Sequence, residues 1–288
     1  MSRRAARSLL FAAAAVTSIS CSRRDASPAR DSAADSTPAP GAATSRTGEW
    51  ASELGQLLVV PSDNDSSAVV LFPLDPSTQL IGSGAVTLVN SAGDTSRVRL
   101  APSDSQCGDA QVVRVAGSLP SAWSVGLLGR SAKLLRMDSI EALPSADSAR
   151  LAADLARLAS ALPNGTSRFT GLPFAVLAAR RFESDSREIL AAQLVRRLNQ
   201  EAAPQEERTF IVAERAAGTR ESYTLTYSQR SEGSEDAAEH FEVLSALRGR
   251  QAPMLLLARD RLTRTTYELI ERQDDGTWRV RWSRLLAC

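Results

Sequence analysis

From residue 49 onward, the chain consists of short apolar runs separated by residues that favour turns. The runs at 57–60 and 68–72 are four and five residues long, and each ends at a proline. Runs of this length are typical of buried β-strands and are shorter than ordinary helices. Because turn signals recur at about the spacing found in sandwiches and barrels, the sequence predicts a mainly β (α+β) fold with antiparallel, sandwich-like sheets.

Two pairs of predicted strands are joined by strong turn signals. Residues 91–94 (Ser-Ala-Gly-Asp) follow a strand at 86–89 and precede one at 97–100. Residues 274–276 (Asp-Asp-Gly) join strands at 266–271 and 277–282. Asp-Gly between alternating runs is the strongest short-range hairpin signal. Further strands are predicted at 111–115, 125–128, 133–137, 174–177, 209–213, 223–227, 241–247 and 254–257.

The last predicted strand has two different faces. Its alternation places Trp278, Val280 and Trp282 together and Arg279 and Arg281 opposite them. One face of an antiparallel sheet is normally buried, so we expect the tryptophans to face the core rather than to form a binding platform. The arginines are expected on a solvated face, and pairing with anionic lipid or polysaccharide is the alternative.

One segment carries a helical pattern. Ser145 can cap a helix, and Asp147 lies in its first turn, where the helix dipole favours a negative charge. Leucines at 151, 155, 158 and 162 then share one face, so we predict an amphipathic helix over about 146–162 that lies on a sheet. Residues 188–198 are also predicted to be helical, because apolar side chains fit a helical period: Ala191, Leu194, Val195 and Leu198.

The first 21 residues have the layout of a secretory leader. Three arginines open the segment, and residues 8–19 form an uncharged, largely apolar run. The run is shorter than the roughly 20 residues that a membrane-spanning helix needs, so we interpret residues 1–20 as a removable signal peptide. The small residues Ser18 and Ser20 precede Cys21, as signal cleavage requires.

The end of this leader, Ser18-Ile19-Ser20-Cys21, resembles the lipobox of bacterial lipoproteins. That family usually has an aliphatic residue where this chain has Ser18. The resemblance implies that Cys21 is acylated and becomes the mature N-terminus, and that Ser22 favours the outer membrane, with the protein facing the periplasm. Ordinary signal cleavage would cut the same bond without adding lipid, and a secreted or periplasmic soluble protein is therefore the alternative.

Composition divides the rest of the chain. Residues 21–48 contain almost no large apolar side chains and cannot bury enough surface to offset their ordering entropy, so they are predicted to be a disordered tether. Beyond the tether we predict an N-terminal β-rich domain over 49–163, which ends in the helix, and a C-terminal antiparallel β domain over 164–288.

Export determines how the cysteines and the net charge are interpreted. Paired cysteines form disulfides in an oxidising compartment. With Cys21 assigned to the leader, Cys107 and Cys288 remain and are predicted to pair. Removal of the three leader arginines takes the formal net charge from +1 to −2, so no net positive charge draws the mature chain to nucleic acid.

Catalytic and metal-binding patterns are scarce. His240 is the only histidine, and it lies in the acidic segment 235–242, which we expect to be solvated. One histidine without a Cys-x-x-Cys pair argues against a zinc site and a His-based triad. Three polar segments are interpreted as turns, because the companion motifs of penicillin-binding enzymes, calcium loops and phosphate loops are missing: Ser62-Asp63-Asn64, Asp63 with Asp65, and Gly82-Ser83-Gly84. We assign no catalytic residue, metal or cofactor.

The expected function is that of a lipid-anchored cell-envelope protein that binds or scaffolds another component and has no enzymatic activity. Its expected partners are the membrane, through the N-terminal lipid, and another envelope protein or a polysaccharide. The alternative is a periplasmic hydrolase that uses paired carboxylates, since 33 acidic residues offer many such pairs. A hydrolase of this kind needs two converging carboxyl groups in a cleft, whereas a binding module needs an exposed apolar or aromatic patch.

Overall fold

Antiparallel β-strands make up most of the chain in a computed structural model. The single α-helix of the described residues and the antiparallel pairing confirm the mainly β prediction. All described residues belong to one compact unit, 41–288. They are residues 46–60, 67–71, 85–91, 93–107, 110–117, 124–128, 133–163, 167–199, 204–262 and 264–287.

Six strands from the first half of the chain close into a small barrel. They are β2 (Gln56–Val60), β3 (Ser67–Val70), β4 (Ala85–Asn90), β5 (Thr95–Cys107), β6 (Ala110–Ala116) and β7 (Ser124–Leu128). Their order around the barrel is β2-β3-β6-β5-β4-β7. The predicted hairpin at 91–94 is the β4–β5 turn. Alternate side chains of these strands form one buried cluster inside the barrel: Leu58, Val60, Ala68, Val70, Val86, Leu88, Val98, Val113 and Val115.

A six-stranded sheet packs against the barrel. It is built from β1 (Arg46–Gly48), β8 (Lys133–Leu135), β14 (His240–Arg248), β15 (Pro253–Arg261), β16 (Arg264–Arg272) and β17 (Trp278–Ala287). The order across the sheet is β1-β17-β16-β15-β14-β8. The short strands β1 and β8 therefore stand at its two edges. Asp275 and Gly276 form the predicted turn between β16 and β17.

A five-stranded sheet packs on the opposite face of the six-stranded one. It contains β9 (Asp138–Ser139), β10 (Ala175–Ser184), β11 (Arg187–Leu198), β12 (Gln205–Ala216) and β13 (Thr224–Ser234) in the order β13-β12-β11-β10-β9. The apolar layer between the two sheets includes Phe182, Phe210, Phe241, Leu257 and Trp278. Because β8 and β9 are consecutive in the chain, one segment lies along the edges of both sheets.

The predicted amphipathic helix covers the outer face of the five-stranded sheet. Helix α1 spans Ser145–Ser160, and Ser145 is its first residue rather than its cap, since Pro144 takes the cap position. Leu151, Leu155 and Leu158 are buried against the sheet as their spacing predicted. The helix, the two sheets and the barrel thus form successive layers with a separate apolar core at each contact.

The predicted helix at 188–198 is wrong, because this segment is strand β11. It lies between β10 and β12 and is covered on one face by α1 and on the other by the six-stranded sheet. Residues 188–196 are buried without interruption. A strand that is buried on both faces loses the alternation that identifies strands, and its apolar residues then fit a helical period equally well.

The shared face predicted for Trp278, Val280 and Trp282 is also wrong. The β16–β17 register shifts between Leu269 and Ile270, which pair with Trp282 and Val280. The shift reverses the alternation along β17. Trp278 therefore packs between the two sheets, whereas Trp282 packs on the barrel side, 4.7 Å from the ring of Trp50. Both tryptophans are buried, as the prediction of core-facing side chains required.

The predicted tether and the two predicted domains can be compared with the strands of the structure. Residues 46–48, the end of the predicted tether, form β1 and pair with β17. Strand β1 comes from the predicted tether, β8 from the predicted N-terminal domain and β14 to β17 from the predicted C-terminal one, yet all share a sheet. The boundary between 163 and 164 stays a prediction. No helix in the described part of the chain is long and apolar enough to cross a membrane.

Candidate functional site

A polar cleft opens between the two sheets at the edge where β10, β11 and β14 meet. We call it the edge cleft. Its volume is about 140 Å³. Five apolar and four polar residues line it. The lining residues are Ala178, Arg180, Ala191, Gln193, Phe210, His240, Phe241, Glu242 and Val243.

Strand lengths at the two sheet edges explain why this cleft is open. Strand β8 pairs with β14 only over Ala246 to Arg248. Strand β9 pairs with β10 only at Arg180 and Arg181. Among the residues that the structure describes, no strand covers the first half of β14 on this side. Side chains from the facing sheet therefore reach solvent beside the β14 edge.

Gln193 is the most deeply buried polar group of the edge cleft. It lies on the central strand β11 opposite Phe210 and is 2% exposed. Its Nε2 atom is 3.2 Å from Nδ1 of His240. Its Oε1 atom is buried and has no hydrogen-bond partner in the described part of the chain. A buried carbonyl oxygen without a donor costs about 1–3 kcal/mol, so this atom marks a place where a donor is wanted.

His240 stands at the mouth of the cleft. With the Gln193 amide nitrogen as donor, Nδ1 accepts and the imidazole proton is on Nε2. Desolvation lowers the pKa of His240 below its ordinary value, and the positive charge of Arg208 lowers it further, against an opposing effect of Asp260. The ring is therefore neutral near pH 7 and presents an N–H donor. The sequence placed His240 in a solvated acidic stretch, and its exposed position agrees with that expectation.

Glu242 supplies a carboxyl group with unusual proton affinity. Desolvation raises the pKa of Glu242 to about 7, and the negative charge of Asp260 raises it more than the positive charge of Arg180 lowers it. The Glu242 carboxyl makes no hydrogen bond or ion pair with any described residue. A half-buried carboxyl without partners is typical of a site that acts on something outside the fold.

Arg180 fixes the remaining side of the edge cleft. Its Nη2 atom donates, at 3.0 Å, to Oγ of Ser91 on the β4–β5 turn of the barrel. This bond ties the five-stranded sheet to the barrel past the end of β9. The guanidinium is thereby held near Glu242 but directed to the barrel, so Glu242 remains without an ion pair.

The buried carboxyl groups of the five-stranded sheet, unlike Glu242 on β14, have hydrogen-bond partners within the protein. Glu207 accepts two bonds from Arg196, at 2.8 and 3.1 Å. Glu188 accepts from Arg215 and from the Tyr223 hydroxyl. Glu214 accepts from Arg272 and from the Trp278 indole. These groups join strands or sheets through hydrogen bonds within the protein, which the Glu242 carboxyl does not make with any described residue.

A second cavity, of about 190 Å³, lies beside the barrel turn and the segment after β8. Its polar side chains bond within the protein. Asn90 donates to Asp94, and Arg136 donates to Asp138. The Ser245 hydroxyl is directed at the carbonyl oxygen of Ala246. This cavity therefore offers a ligand less than the edge cleft does.

The structure places only part of the residues singled out from the sequence. Cys107 is buried and disulfide-bonded. Its predicted partner Cys288 and the predicted lipid site Cys21 lie outside the described residues, so both assignments stay predictions. Strand β17 runs to Ala287, and its Leu286 shares a core cluster with Cys107, which brings the chain end to that region.

The remaining motifs supply no described residue to the lining of the cleft. The segments 62–65 and 82–84 lie outside the described residues. Arg279 forms an ion pair with Asp275, and Arg281 pairs with Glu271. No group of three or more His, Cys, Asp or Glu side chains in the described ranges is placed to hold a metal ion.

Sequence reasoning missed Gln193, Glu242 and Arg180. The only available signal was that Glu242 is two residues from His240 at the start of the strand predicted over 241–247, since side chains two apart on a strand lie on one side. Gln193 is 47 residues away from His240 in the chain and was assigned to a helix. Comparison with protein-family models, curated proteins and solved structures finds no match for this chain.

Proposed function

We propose that this protein is a lipid-anchored cell-envelope protein that binds, without chemistry, a partner presenting a small cationic donor group in the edge cleft. An ammonium or a guanidinium is such a group. The observation that carries the proposal is the buried Gln193 Oε1 without a donor, in the same cleft as a Glu242 carboxyl without a partner. Neither Gln193 Oε1 nor the Glu242 carboxyl accepts a hydrogen bond from a described residue.

Charge favours a cation over a neutral donor. Asp260 influences Glu242 more than Arg180 does, so the field at the carboxyl is on balance negative. A bound cation would pair with the Glu242 carboxylate and reverse part of the desolvation cost. The apolar wall formed by Ala191, Phe210 and Phe241 suits the methylene stem of such a group.

The binding claim is tested with n-butylammonium as the probe and n-butanol as its neutral counterpart. The only histidine of the chain gives one imidazole signal in a protein without a histidine tag, and NMR titration of that signal reports occupancy of the cleft. We expect n-butylammonium to bind with a dissociation constant of about 1–10 mM and n-butanol at least tenfold more weakly. Equal binding of the two probes would overturn the proposal.

The pH dependence of this binding has a definite sign. Glu242 must be ionised to pair with a cation, and its pKa is about 7. Affinity for n-butylammonium should therefore rise about tenfold between pH 6 and pH 8. The other charged groups that act on the pKa of Glu242 are Asp260 and Arg180. The variant Glu242→Gln should bind weakly at every pH, whereas Glu183→Gln, an exposed acid on β10, should bind as wild type does.

The envelope assignment depends on the leader and the cysteines. Mass spectrometry of the mature protein should show an acylated N-terminal Cys21 that is lost in Cys21→Ala. A second measurement compares masses before and after thiol alkylation without reductant, where a Cys107–Cys288 bond leaves neither thiol reactive. Recovery of the full-length chain with reduced thiols would contradict export.

A hydrolase is the second candidate. The specific observation for it is that Glu242 is partly protonated near pH 7 and responds to the charge of Asp260, as the acid of a carboxyl pair does. Asp260 does not line the edge cleft, and Oγ1 of Thr265 donates to it at 2.6 Å. Turnover of chromogenic esters or glycosides that is lost in both Glu242→Gln and Asp260→Asn would favour this candidate over binding alone.

A further inference from the structure

We infer that the turn between β15 and β16 is a membrane-contact site, at which Leu262 enters the interface of an anionic lipid bilayer and Arg261 and Arg264 pair with lipid phosphates. We call these three residues the basic tip. The inference goes beyond the cation site in the edge cleft. It rests on the proposed lipid anchor only for the strength of the contact in the cell, because the anchor keeps the tip close to a bilayer.

The first support is the position of Leu262, which is unfavourable for a leucine in water. The side chain is 76% exposed, compared with 39% for Leu177 and 44% for Val280, the other large apolar side chains exposed among the described residues. Its backbone has a φ of 53°, in the left-handed region that few non-glycine residues adopt. Local strain of this kind concentrates at functional sites. Transfer of the leucine to an apolar medium would be favourable.

The turn between β10 and β11 uses the same backbone conformation with polar residues. Asp185 and Ser186 have φ values of 53° and 58°. Aspartate is one of the residues that adopt this region most readily. The Asp185 carboxylate also pairs with Arg248, so the fold itself uses this turn. Leu262 has neither advantage, which indicates that its role lies outside the stability of the fold.

The second support is the charge of the basic tip. Arg261 and Arg264 stand directly opposite each other and are both exposed. Neither forms an ion pair or a hydrogen bond with a described residue. Like charges in opposite positions destabilise a strand pair. The nearest acid in the sequence, Asp260, already accepts a hydrogen bond from Thr265 at 2.6 Å. The tip therefore presents two positive charges, and an anionic surface complements them.

The third support is the position of the basic tip relative to the predicted tether. Strand β14 begins at His240, opposite Asp260, so the tip extends past this neighbouring strand. Arg46 of β1 pairs with Arg284, which also pairs with Tyr267. The start of β1 therefore lies about 10 Å along the sheet from the tip and about 10 Å across it. Because β1 runs away from this end, the tether joins the fold at the end that carries the tip.

Reach and strength both fit a contact that depends on the anchor. Residues 21–45 separate the predicted acyl chains from β1, and a coil of this length has an r.m.s. span of about 25–30 Å. Burial of one leucine strengthens binding roughly tenfold, and each arginine adds about fivefold near an anionic surface. The tip alone is therefore a weak site. An anchored protein meets lipid at a high effective concentration, so the tip sets which end of the fold faces the membrane.

The first experiment measures sedimentation of the mature chain with vesicles, using Cys21→Ala so that no acyl chain contributes. We expect an apparent dissociation constant of about 1–10 mM lipid for phosphatidylglycerol-rich vesicles and at least tenfold weaker binding to phosphatidylcholine alone. Leu262→Asn should lose at least fivefold, although its thermal unfolding midpoint should not fall, because asparagine adopts this φ more readily. The matched variant Leu177→Asn should bind as wild type does.

The arginines are tested with two double variants of equal charge. Arg261→Gln with Arg264→Gln should lose at least tenfold on phosphatidylglycerol-rich vesicles. Arg187→Gln with Arg250→Gln removes two exposed arginines elsewhere and should lose less than about twofold. Equal losses in the two double variants would reduce the contact to net charge and overturn the inference. Unchanged binding of Leu262→Asn would overturn it as well, since a purely polar contact does not need the leucine.

The outcomes separate this inference from the proposed function. Leu262→Asn should leave n-butylammonium binding unchanged, because the residue does not line the edge cleft. If Cys21 is acylated and n-butylammonium binds, but vesicles do not hold the unlipidated chain, the basic tip is wrong and the proposed function stands. If vesicles hold the chain through the tip and n-butylammonium does not bind, the cation site falls and the inference stands. Absence of both acylation and vesicle binding would overturn the membrane role altogether.

Discussion

Glu207 and Glu242 are two shielded carboxyl groups in neighbouring sheets, and their surroundings are opposite. Glu207 is fully buried and bonds to two nitrogens of Arg196, to Ser167 and to Thr209. Arg196 in turn lies over the ring of Phe174, 4.7 Å from its centroid. Glu242 is half-buried and has no hydrogen bond to a described residue.

The pKa values of the two groups move in opposite directions. Burial alone would raise the pKa of Glu207, but hydrogen bonds and the charge of Arg196 outweigh it and hold the pKa below the ordinary value. Burial of Glu242 acts with Asp260, and its pKa rises to about 7. Burial therefore does not separate a structural carboxyl group from a functional one. The completeness of its hydrogen bonding does.

The largest expected effect is on Glu207. The variant Glu207→Gln removes the carboxylate that pairs with the buried Arg196 guanidinium, and we expect a loss of about 3–5 kcal/mol in the free energy of unfolding. Urea unfolding measures it at pH 7. The matched variant Glu242→Gln should lose less than about 1 kcal/mol. If both variants lost the same amount, the contrast between the two carboxyl groups would be wrong.

Replacement of the whole pair should cost less than removal of one partner. In the double variant Arg196→Met with Glu207→Leu, neither charge of this pair remains to be desolvated, although Arg230, 3.9 Å from Glu207, loses its contact with the carboxylate. We therefore expect stability within about 2 kcal/mol of wild type. Ser167 and Thr209 lose an acceptor in this variant, which accounts for the residual loss. Urea unfolding of both single variants and the double variant gives the coupling between the side chains. Strictly additive losses would contradict a paired ion.

The pH dependence of stability should separate the two groups again. Because the folded pKa of Glu242 is above the unfolded value, the folded state binds the proton more tightly, and stability falls as pH rises from about 4.5 to 7. Glu242→Gln removes this fall, so its stability relative to wild type should rise by about 1–2 kcal/mol between pH 5 and 8, after allowance for partial exposure.

For Glu207, the pH dependence of stability has the opposite sign. Its contribution is complete above the unfolded pKa and is lost as pH falls through the depressed folded value. The destabilisation caused by Glu207→Gln should therefore shrink below about pH 4. Thermal unfolding of the wild type and both variants across pH 3–8 measures the two trends together. Parallel pH profiles for the two variants would contradict the assigned pKa directions.

Local patterns in the sequence were sufficient for the elements whose signals lie within one segment. Helix α1 has its leucine stripe, and the turn at Asp275 and Gly276 has its dipeptide. The helix prediction for the β11 segment failed because burial on both faces depends on the neighbouring elements, and the sequence of the segment does not show it. The reversed faces of Trp278 and Trp282 depend on a register shift that arises between strands.

The edge cleft was beyond local patterns for a related reason. Gln193 and His240 meet only because the two sheets pack face to face, and nothing in either segment encodes the other. The raised pKa of Glu242 depends first on burial and then on Asp260, which stands on the neighbouring strand β15 opposite His240. The openness of the site depends on where β8 stops, after three residues. Each of these features depends on the tertiary structure rather than on a local sequence pattern.

The smallest effect on stability is expected for Gln193→Leu, although this side chain is as buried as Arg196. The substitution removes a carbonyl oxygen that has no donor and keeps the volume, so the free energy of unfolding should change by less than about 1 kcal/mol. Binding of n-butylammonium should weaken about threefold to tenfold, since one of its two acceptors is lost. The nitrogen chemical shifts of His240 should also move, because Nδ1 loses its donor. A loss of about 3 kcal/mol or more with binding unchanged would place Gln193 with Glu207, among the groups that hold the sheets together.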